Sequence, residues 1–488
     1  MKAIKKYLLS VLFFLSATIV FAQQNQTLYF MHRIPQSNLL NPAIQNECKL
    51  YLSGMILPVV GQVLPPIHFN YNNNGFALNK LFYYGTGQMA DSLITPFHKG
   101  EDPYLFLDRL RKVNYLSIET DINLLSAGYR WKQWYFTFNL TEKLDVQASF
   151  PKDLVTLAWE GNGKSFLGKE AVLSYMGAGV NWYREWALGA SKTIGNKWTV
   201  GGRGKLLFGK ENLWFKSQQL ALNTDADDYG LTVKADWEVH SSNHFIDITK
   251  LQMDYLNDSL MYEEDTTFET NAKDIIMEGR NPGAAIDLGF KYVFNNKVNV
   301  YGSLLDIGFI HYKNNTNGVK ASGELYFDGW DIKPYFNKND SVSKAQTDQF
   351  VDSVIKIFEP TLNSNAYNYW LAPKMYLGGT YTLNEKINFG ILFRGDIFLK
   401  RLHSGLTLSA NANLKKWFMG TLSYTIENNS FKQVGAGVLF KIPWFQFYVV
   451  TDNVFGFIWP EASRNVNFRL GINMLFGCDK KNTSTLVE

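Results

Sequence analysis

Cysteine is nearly absent: Cys48 and Cys478 are the only two in 488 residues. A disulfide-dense scaffold is thereby excluded, although a single bridge stays open to the chain in an oxidising compartment. Proline is scarce too, 14 residues in a chain that is 46% hydrophobic, which excludes a disordered chain. Beyond residue 22 no apolar run reaches 18 residues, so a helical membrane protein is excluded. Net charge is also low. The formal charge is +4, and three of the lysines behind it, Lys2, Lys5 and Lys6, precede an apolar run from Tyr7 to Ala22. That layout is the one of a secretory signal peptide. Its removal after Ala22 leaves a chain close to neutral, which excludes nucleic acid as a partner. Gln23 follows the expected cleavage point, so no lipid-anchored cysteine stands there.

What the chain has instead is aromatic residues and glycine: 36 Phe, 26 Tyr, 13 Trp and 38 Gly, at a mean hydropathy of only −0.17. A transmembrane β-barrel combines these properties, because only every second strand residue faces lipid. The alternation is visible directly. In Asn465–Phe476, Val466, Phe468, Leu470, Ile472, Met474 and Phe476 form one face, and Asn465, Asn467, Arg469, Gly471 and Asn473 the other. Period 2 over some 11 residues fits a membrane-spanning strand. Gly405–Leu414 and Ala285–Phe294 repeat the pattern.

Turn signals give a second, independent reading. Short turns are expected at 131–133, 195–196, 295–297, 384–385, 415–416 and 442–444. The connections between them run over 57–114, 151–170, 221–281, 312–368, 401–404, 428–430 and 454–463. All the long ones fall in the second set, which is the asymmetry of short periplasmic turns and long outer loops. Six hairpins, a first strand near Lys49–Ile56 and the final strand make about fourteen, within a range of 12 to 16. Leu231–Val239 is expected to extend a hairpin beyond the membrane, and Ile67–Tyr71 to be a short strand or part of a plug. Helical spacing in Pro103–Lys112, in Gln349–Phe358 and after Pro151 points to short helices in the outer loops. Seven tryptophans (131, 134, 182, 198, 417, 444 and 459) fall near strand ends, as in an interfacial girdle.

The expected organisation is therefore a signal peptide over 1–22, an N-terminal plug or cap over 23–47, the barrel over 48–478 and a periplasmic tail over 479–488. Leu28, Tyr29, Phe30, Met31, Ile34, Leu39 and Leu40 make residues 23–47 too apolar to hang free in the periplasm. Alternation turns seven charged residues toward the lumen: Arg203, Lys205, Asp287, Lys291, Arg394, Asp396 and Arg469. On the lipid face each would cost about 2–4 kcal/mol at midplane. Both signs occur, so a salt-bridged interior fits better than a single-sign ion constriction. Cys48 precedes the first strand and Cys478 follows the last. Those strands become neighbours when the barrel closes, so a disulfide between the two is expected at the periplasmic rim.

Enzyme chemistry finds no foothold. Of seven histidines only His240 and His244 lie close together, and they read as solvated loop residues. No HExxH, GxSxG or phosphate-binding glycine loop occurs, so neither catalytic residues nor a metal or other cofactor are expected. The segment Asp254–Glu278 is acidic and reads as a solvated outer loop.

Several stretches resemble a known family: Pro35–Ala43 with its Asn41-Pro42-Ala43, FPKDLVTLAWEGN from Phe150, AIDLGFKYVF from Ala285, SLLDIGFI from Ser303, TDNVFGF from Thr451 and NFRLGINMLFG from Asn467. They resemble an uncharacterised family of outer-membrane barrels, a domain of unknown function. That family is distantly similar to the fatty-acid transporter (FadL) type, which has fourteen strands and an Asn-Pro-Ala motif after a lumen-inserted N-terminal segment. The resemblance implies a location in the outer membrane of a Gram-negative bacterium. It implies passage of a small molecule across that membrane, a hydrophobic one being the foremost case. The alternative is a non-transporting barrel that anchors or partners a surface-assembly or secretion complex. The partners implied are outer-membrane lipid and either a small hydrophobic ligand or a protein of such a complex.

Overall fold

The structure, a computed structural model, describes residues 25–57, 61–62, 64–86, 89–243, 280–328, 356–358, 360–398, 401–427 and 430–478. Fourteen strands close an antiparallel barrel. They are β1 (Leu50–Gly54 and Ile67–Asn73), β2 (Val113–Trp131), β3 (Trp134–Pro151), β4 (Gly177–Ile194) and β5 (Trp198–Thr224). Next come β6 (Asn281–Val293), β7 (Val298–Tyr312), β8 (Tyr367–Trp370 and Lys374–Thr382), β9 (Ile387–Phe398) and β10 (Arg401–Lys415). The last four are β11 (Phe418–Glu427), β12 (Ser430–Lys441), β13 (Phe445–Thr451) and β14 (Asn465–Phe476). Each strand pairs with the next, and β14 closes on β1, with Leu50 opposite Phe476 and Phe69 opposite Phe468. Closure leaves no free edge, the condition for a sheet to sit in lipid.

The six tight turns fall where Gly, Asn and Lys mark them, and strand alternation explains the two faces. In β10, Leu406 and Leu408 are exposed while Thr407 and Ser409 are buried toward the lumen. Exposed Trp131, Trp198, Trp417 and Trp444 ring the short-turn end. At the other end β5 runs 27 residues and leaves the barrel. Its upper half pairs with Leu231–Ser242, which pairs in turn with Thr316–Phe327, forming a sheet outside the membrane. The Leu231–Val239 extension is thus part of that sheet.

The structure decides two sequence readings. Ile67–Asn73 is a short strand and not plug: it forms the outer half of β1, paired with β14 and β2 like the inner half. Met55 N–H donates to the Leu124 carbonyl and Asn123 N–H to the Pro66 carbonyl, so both halves of β1 stay bonded to β2 where they meet. The apolar, proline-containing sequence between them hid the continuation of β1 from a pattern-based reading. His240 is the second case. It is packed rather than solvated, its ring 4.7 Å from Trp214 and 4.9 Å from Tyr367. Burial there holds its imidazole below the ordinary histidine range, against the opposing pull of Glu238.

Tyr104–Leu107 (α2) and Lys152–Glu160 (α3) are the loop helices, the latter starting directly after Pro151. Helix α1 is Gln26–Tyr29, within the N-terminal segment. Of the helix expected over Gln349–Phe358, only 356–358 lie within the described residues, and they are helical. His244, the acidic Asp254–Glu278 stretch and residues 1–22 lie outside the described residues.

Candidate functional site

The lumen has three levels. The lowest holds residues 25–49, which contact the inner wall around the whole circumference. Leu28, Tyr29, Phe30, Met31, Ile34 and Leu40 form one buried cluster with lumen-facing Tyr301, Tyr376, Leu392, Met419, Leu439 and Tyr448. Asp452 fixes the upper end of this plug by accepting the N–H groups of Asn25 (2.8 Å) and Thr27 (2.7 Å). Such charge-assisted bonds are worth more than neutral ones. At the lower end Arg130 donates to Gln45 at 2.8 Å and to the Asn46 carbonyl.

Asn41, Pro42 and Ala43 approach the wall closely. The Asn41 side-chain oxygen accepts the Ala43 N–H at 2.9 Å, and its amide donates to the carbonyls of Phe290 and Gly302, both at 3.2 Å. The motif lies directly on Gly201 and Gly289, where any Cβ would overlap Pro42 or Asn41. Two wall glycines therefore shape the seat of the plug.

Charged residues fill the middle level. Lys205 Nζ lies 2.6 Å from Asp306, 2.9 Å from Asp287 and 3.4 Å from Glu185. Arg203 pairs with Asp287 at 3.1 Å and donates to the Asn38 carbonyl and side chain of the plug. Arg469 pairs with Asp121 at 3.2 Å and donates to Asn25. Arg394 and Asp396 are buried as a pair at 3.7 Å. Lys291 shares the inward parity of Asp287 on β6. The structure thus places all seven charged residues on the inner face, but in separate groups. Sequence reading missed Lys143, Glu185 and Asp306, which complete the central one. Asp306 sits at positive φ (59°) where the β6–β7 register shifts, so it points inward against the parity of its strand. Signs balance, the partners are close, and Arg203 and Arg469 both reach the N-terminal segment.

Cys48 and Cys478 are joined by a disulfide, Cα atoms 4.1 Å apart, between the foot of the plug and the end of β14. Among the described residues no group of three or more His, Cys, Asp or Glu side chains is arranged to hold a metal ion.

The upper level holds a cavity of about 650 Å³. Its position follows from a defect in the wall. Strand β13 ends at Thr451, opposite Ala436 of β12, so Ser430–Gly435 and the top of β14 have no strand between them. A short helix, α4 (Val454–Ile458), packs there against both β12 and β14. Phe457 meets the lipid-facing ring of Phe468 at 6.1 Å, so α4 reaches the outer surface of the barrel. Bare backbone edges are costly in lipid. On β14 they are covered, because Thr451 donates to the Asn467 carbonyl (2.7 Å) and Asn453 to that of Asn465 (2.9 Å). On the β12 side Gln433 and Val434 line the cavity instead.

The rest of the lining divides by chemistry. Phe76, Phe455 and Trp459 supply an apolar wall; Lys80, Arg109 and Arg464 supply positive charge, with no acid. Three buried amides also face it: Gln433, Asn453 and Asn465. Each keeps a side-chain oxygen without a hydrogen-bond partner among the described residues. Such a lining accepts a small molecule that is apolar along one side and polar at one end.

A family model described as "Family of unknown function (DUF5723)" matches residues 42–452. The chain belongs to that family. The matched region begins at Pro42, directly after Asn41, and takes in the central charged group and the short strand β13. No curated protein matches the chain. Three solved structures are similar in fold. The toluene transporter TbuX of Ralstonia pickettii has a TM-score of 0.40 at 8% identity, with 91% of this chain and 94% of that chain covered. A FadL homologue of Pseudomonas aeruginosa also has a TM-score of 0.40 at 8% identity, covering 95% and 100%. For the toluene transporter TodX of Pseudomonas putida the figures are 0.36, 8%, 94% and 98%.

Proposed function

We propose that this barrel lies in the outer membrane of a Gram-negative bacterium, after loss of residues 1–22. We further propose that it admits a small amphipathic molecule with an apolar body and an acidic head. The molecule enters the cavity of the upper level and leaves sideways, between β12 and α4, into the lipid. The single observation that carries this reading is the coincidence of the cavity with a place where a short helix replaces a wall strand. Straight passage is opposed by two closed levels beneath it. The lateral path passes Val434 and Phe455 and needs movement of a five-residue helix rather than of paired strands.

Ala462 lines this cavity, so Ala462→Trp fills it without touching the plug or the disulfide. In cells expressing the barrel, entry of 8-anilinonaphthalene-1-sulfonate is expected to slow by about tenfold in this variant, a change of about 1.4 kcal/mol. Arg464→Gln is expected to slow that anion but leave uncharged N-phenyl-1-naphthylamine unaffected. Equal entry of both probes in all three proteins would overturn the reading.

One observation favours a second reading, a surface partner. Phe82, Tyr84, Leu93 and Leu105 are exposed together in the outer loop after β1. An apolar patch of this kind marks protein interfaces. Unaltered probe entry combined with loss of a co-purifying protein from a Tyr84→Ser/Leu93→Ser variant would support it.

A further inference from the structure

Lysine stands in or directly beside every one of the six short turns: Lys132, Lys197, Lys297, Lys386, Lys415 with Lys416, and Lys441. The only acid in these turns is Glu385. Lys441 is paired with Glu47 at 3.3 Å. The other six are exposed, and none forms an ion pair among the described residues. Beside them stand exposed apolar side chains that end the strands: Trp131, Trp198, Phe294, Leu383, Trp417 and Trp444. Lys132 lies over the Trp131 ring at 5.4 Å and Lys415 over Trp417 at 5.6 Å. Among the described residues the opposite end carries both signs, with Asp225, Asp227 and Asp228 as well as Lys164 and Lys169.

We propose that this lysine collar binds the anionic headgroups of phospholipid in the leaflet that meets the short turns. The assignment of that leaflet as the periplasmic one rests on the outer-membrane reading above. The geometry favours lipid over an acidic protein. The charges are spread around the whole circumference, whereas a protein would engage one arc. Each also stands beside a lipid-facing ring or aliphatic side chain, which sets it at headgroup height. Long lysine stems reach from the apolar belt to that height at little cost. Unpaired lysines near an anionic bilayer surface attract its lipids and are screened by salt.

The test is electron spin resonance of the purified full-length barrel in phosphatidylcholine vesicles. They contain spin-labelled phosphatidylglycerol or, in parallel, spin-labelled phosphatidylcholine. The motionally restricted fraction gives the relative affinity of the first shell for each lipid. Phosphatidylglycerol is expected to be preferred about threefold at low salt, and the preference to vanish in 1 M NaCl. It is expected to vanish as well when Lys132, Lys197, Lys297, Lys386, Lys415 and Lys416 are replaced by Gln, and to survive replacement by Arg. Equal affinities in the native chain, or a preference kept by the Gln variant or at high salt, would overturn the proposal. Should the Gln variant not fold, the salt titration of the native chain decides alone. None of these readings depends on probe entry, so the collar and the transport reading stand or fall separately.

Discussion

Deleting residues Gln23–Gln36 is expected to raise single-channel conductance in planar bilayers by an order of magnitude or more, roughly tenfold at the least. These residues supply Leu28, Tyr29, Phe30, Met31 and Ile34, all nearly inaccessible to solvent inside the barrel. Fourteen strands leave an interior that their own wall side chains do not fill. What remains after the deletion is a charged ring without its apolar stopper. Burial holds the segment in place: each large side chain contributes about 1.5–3 kcal/mol relative to exposure, and Asp452 adds its charge-assisted bonds. A conductance unchanged by the deletion would mean that the central group around Lys205, Asp287 and Asp306 closes the lumen unaided.

The second large effect is expected from the disulfide. Cys48 and Cys478 are 430 residues apart in sequence, and a loop of that length corresponds to about 6 kcal/mol in the chain-entropy model, an upper bound. The paired Cys48→Ser/Cys478→Ser variant is therefore expected to unfold at clearly lower urea concentration in detergent micelles, with an equal slope. Its plug is also expected to become more open to protease near Asn46, because the bridge ties the foot of the plug to β14. Coincident unfolding midpoints for native and variant chains would show that strand pairing alone fixes the seam. They would also show that the bridge is dispensable.

Strand pairing was readable because one periodicity repeats fourteen times and the turns use residues with strong local preferences. Asn295, Asn384 and Gly195 mark turns by backbone chemistry, independently of the alternation. The plug was readable for a different reason: its apolar residues lack period 2 and so fit no wall position. The cavity was not readable. It depends on the early end of β13, and Phe445–Thr451 looks like any strand until its length is compared with that of its neighbours. The helix after it, Val454–Ile458, is too short to have a periodicity. Lys143, Glu185 and Asp306 escaped because charge on an inward strand position says nothing about which partner stands across the lumen. The register shift that turns Asp306 inward leaves no trace in the pattern. Ile67–Tyr71 was legible as a short strand or plug, but not as the continuation of β1, because the apolar composition of residues 55–66 suits a strand, a plug or a lipid-facing loop equally well.

Photolabelling tests the central claim, sideways passage through the upper wall, most directly. The native barrel in phospholipid vesicles is exposed to an amphipathic carboxylic acid bearing a diazirine on its apolar tail, then irradiated, and the labelled peptides are located by mass spectrometry. Adducts are expected on two sides of one gap, the β12 segment containing Val434 and the segment of α4 and its C-cap containing Phe455 and Trp459, suppressed by Ala462→Trp. Adducts on Tyr301, Tyr376 or Met419, the residues around the plug, would place the molecule on a path straight through the lumen and contradict it.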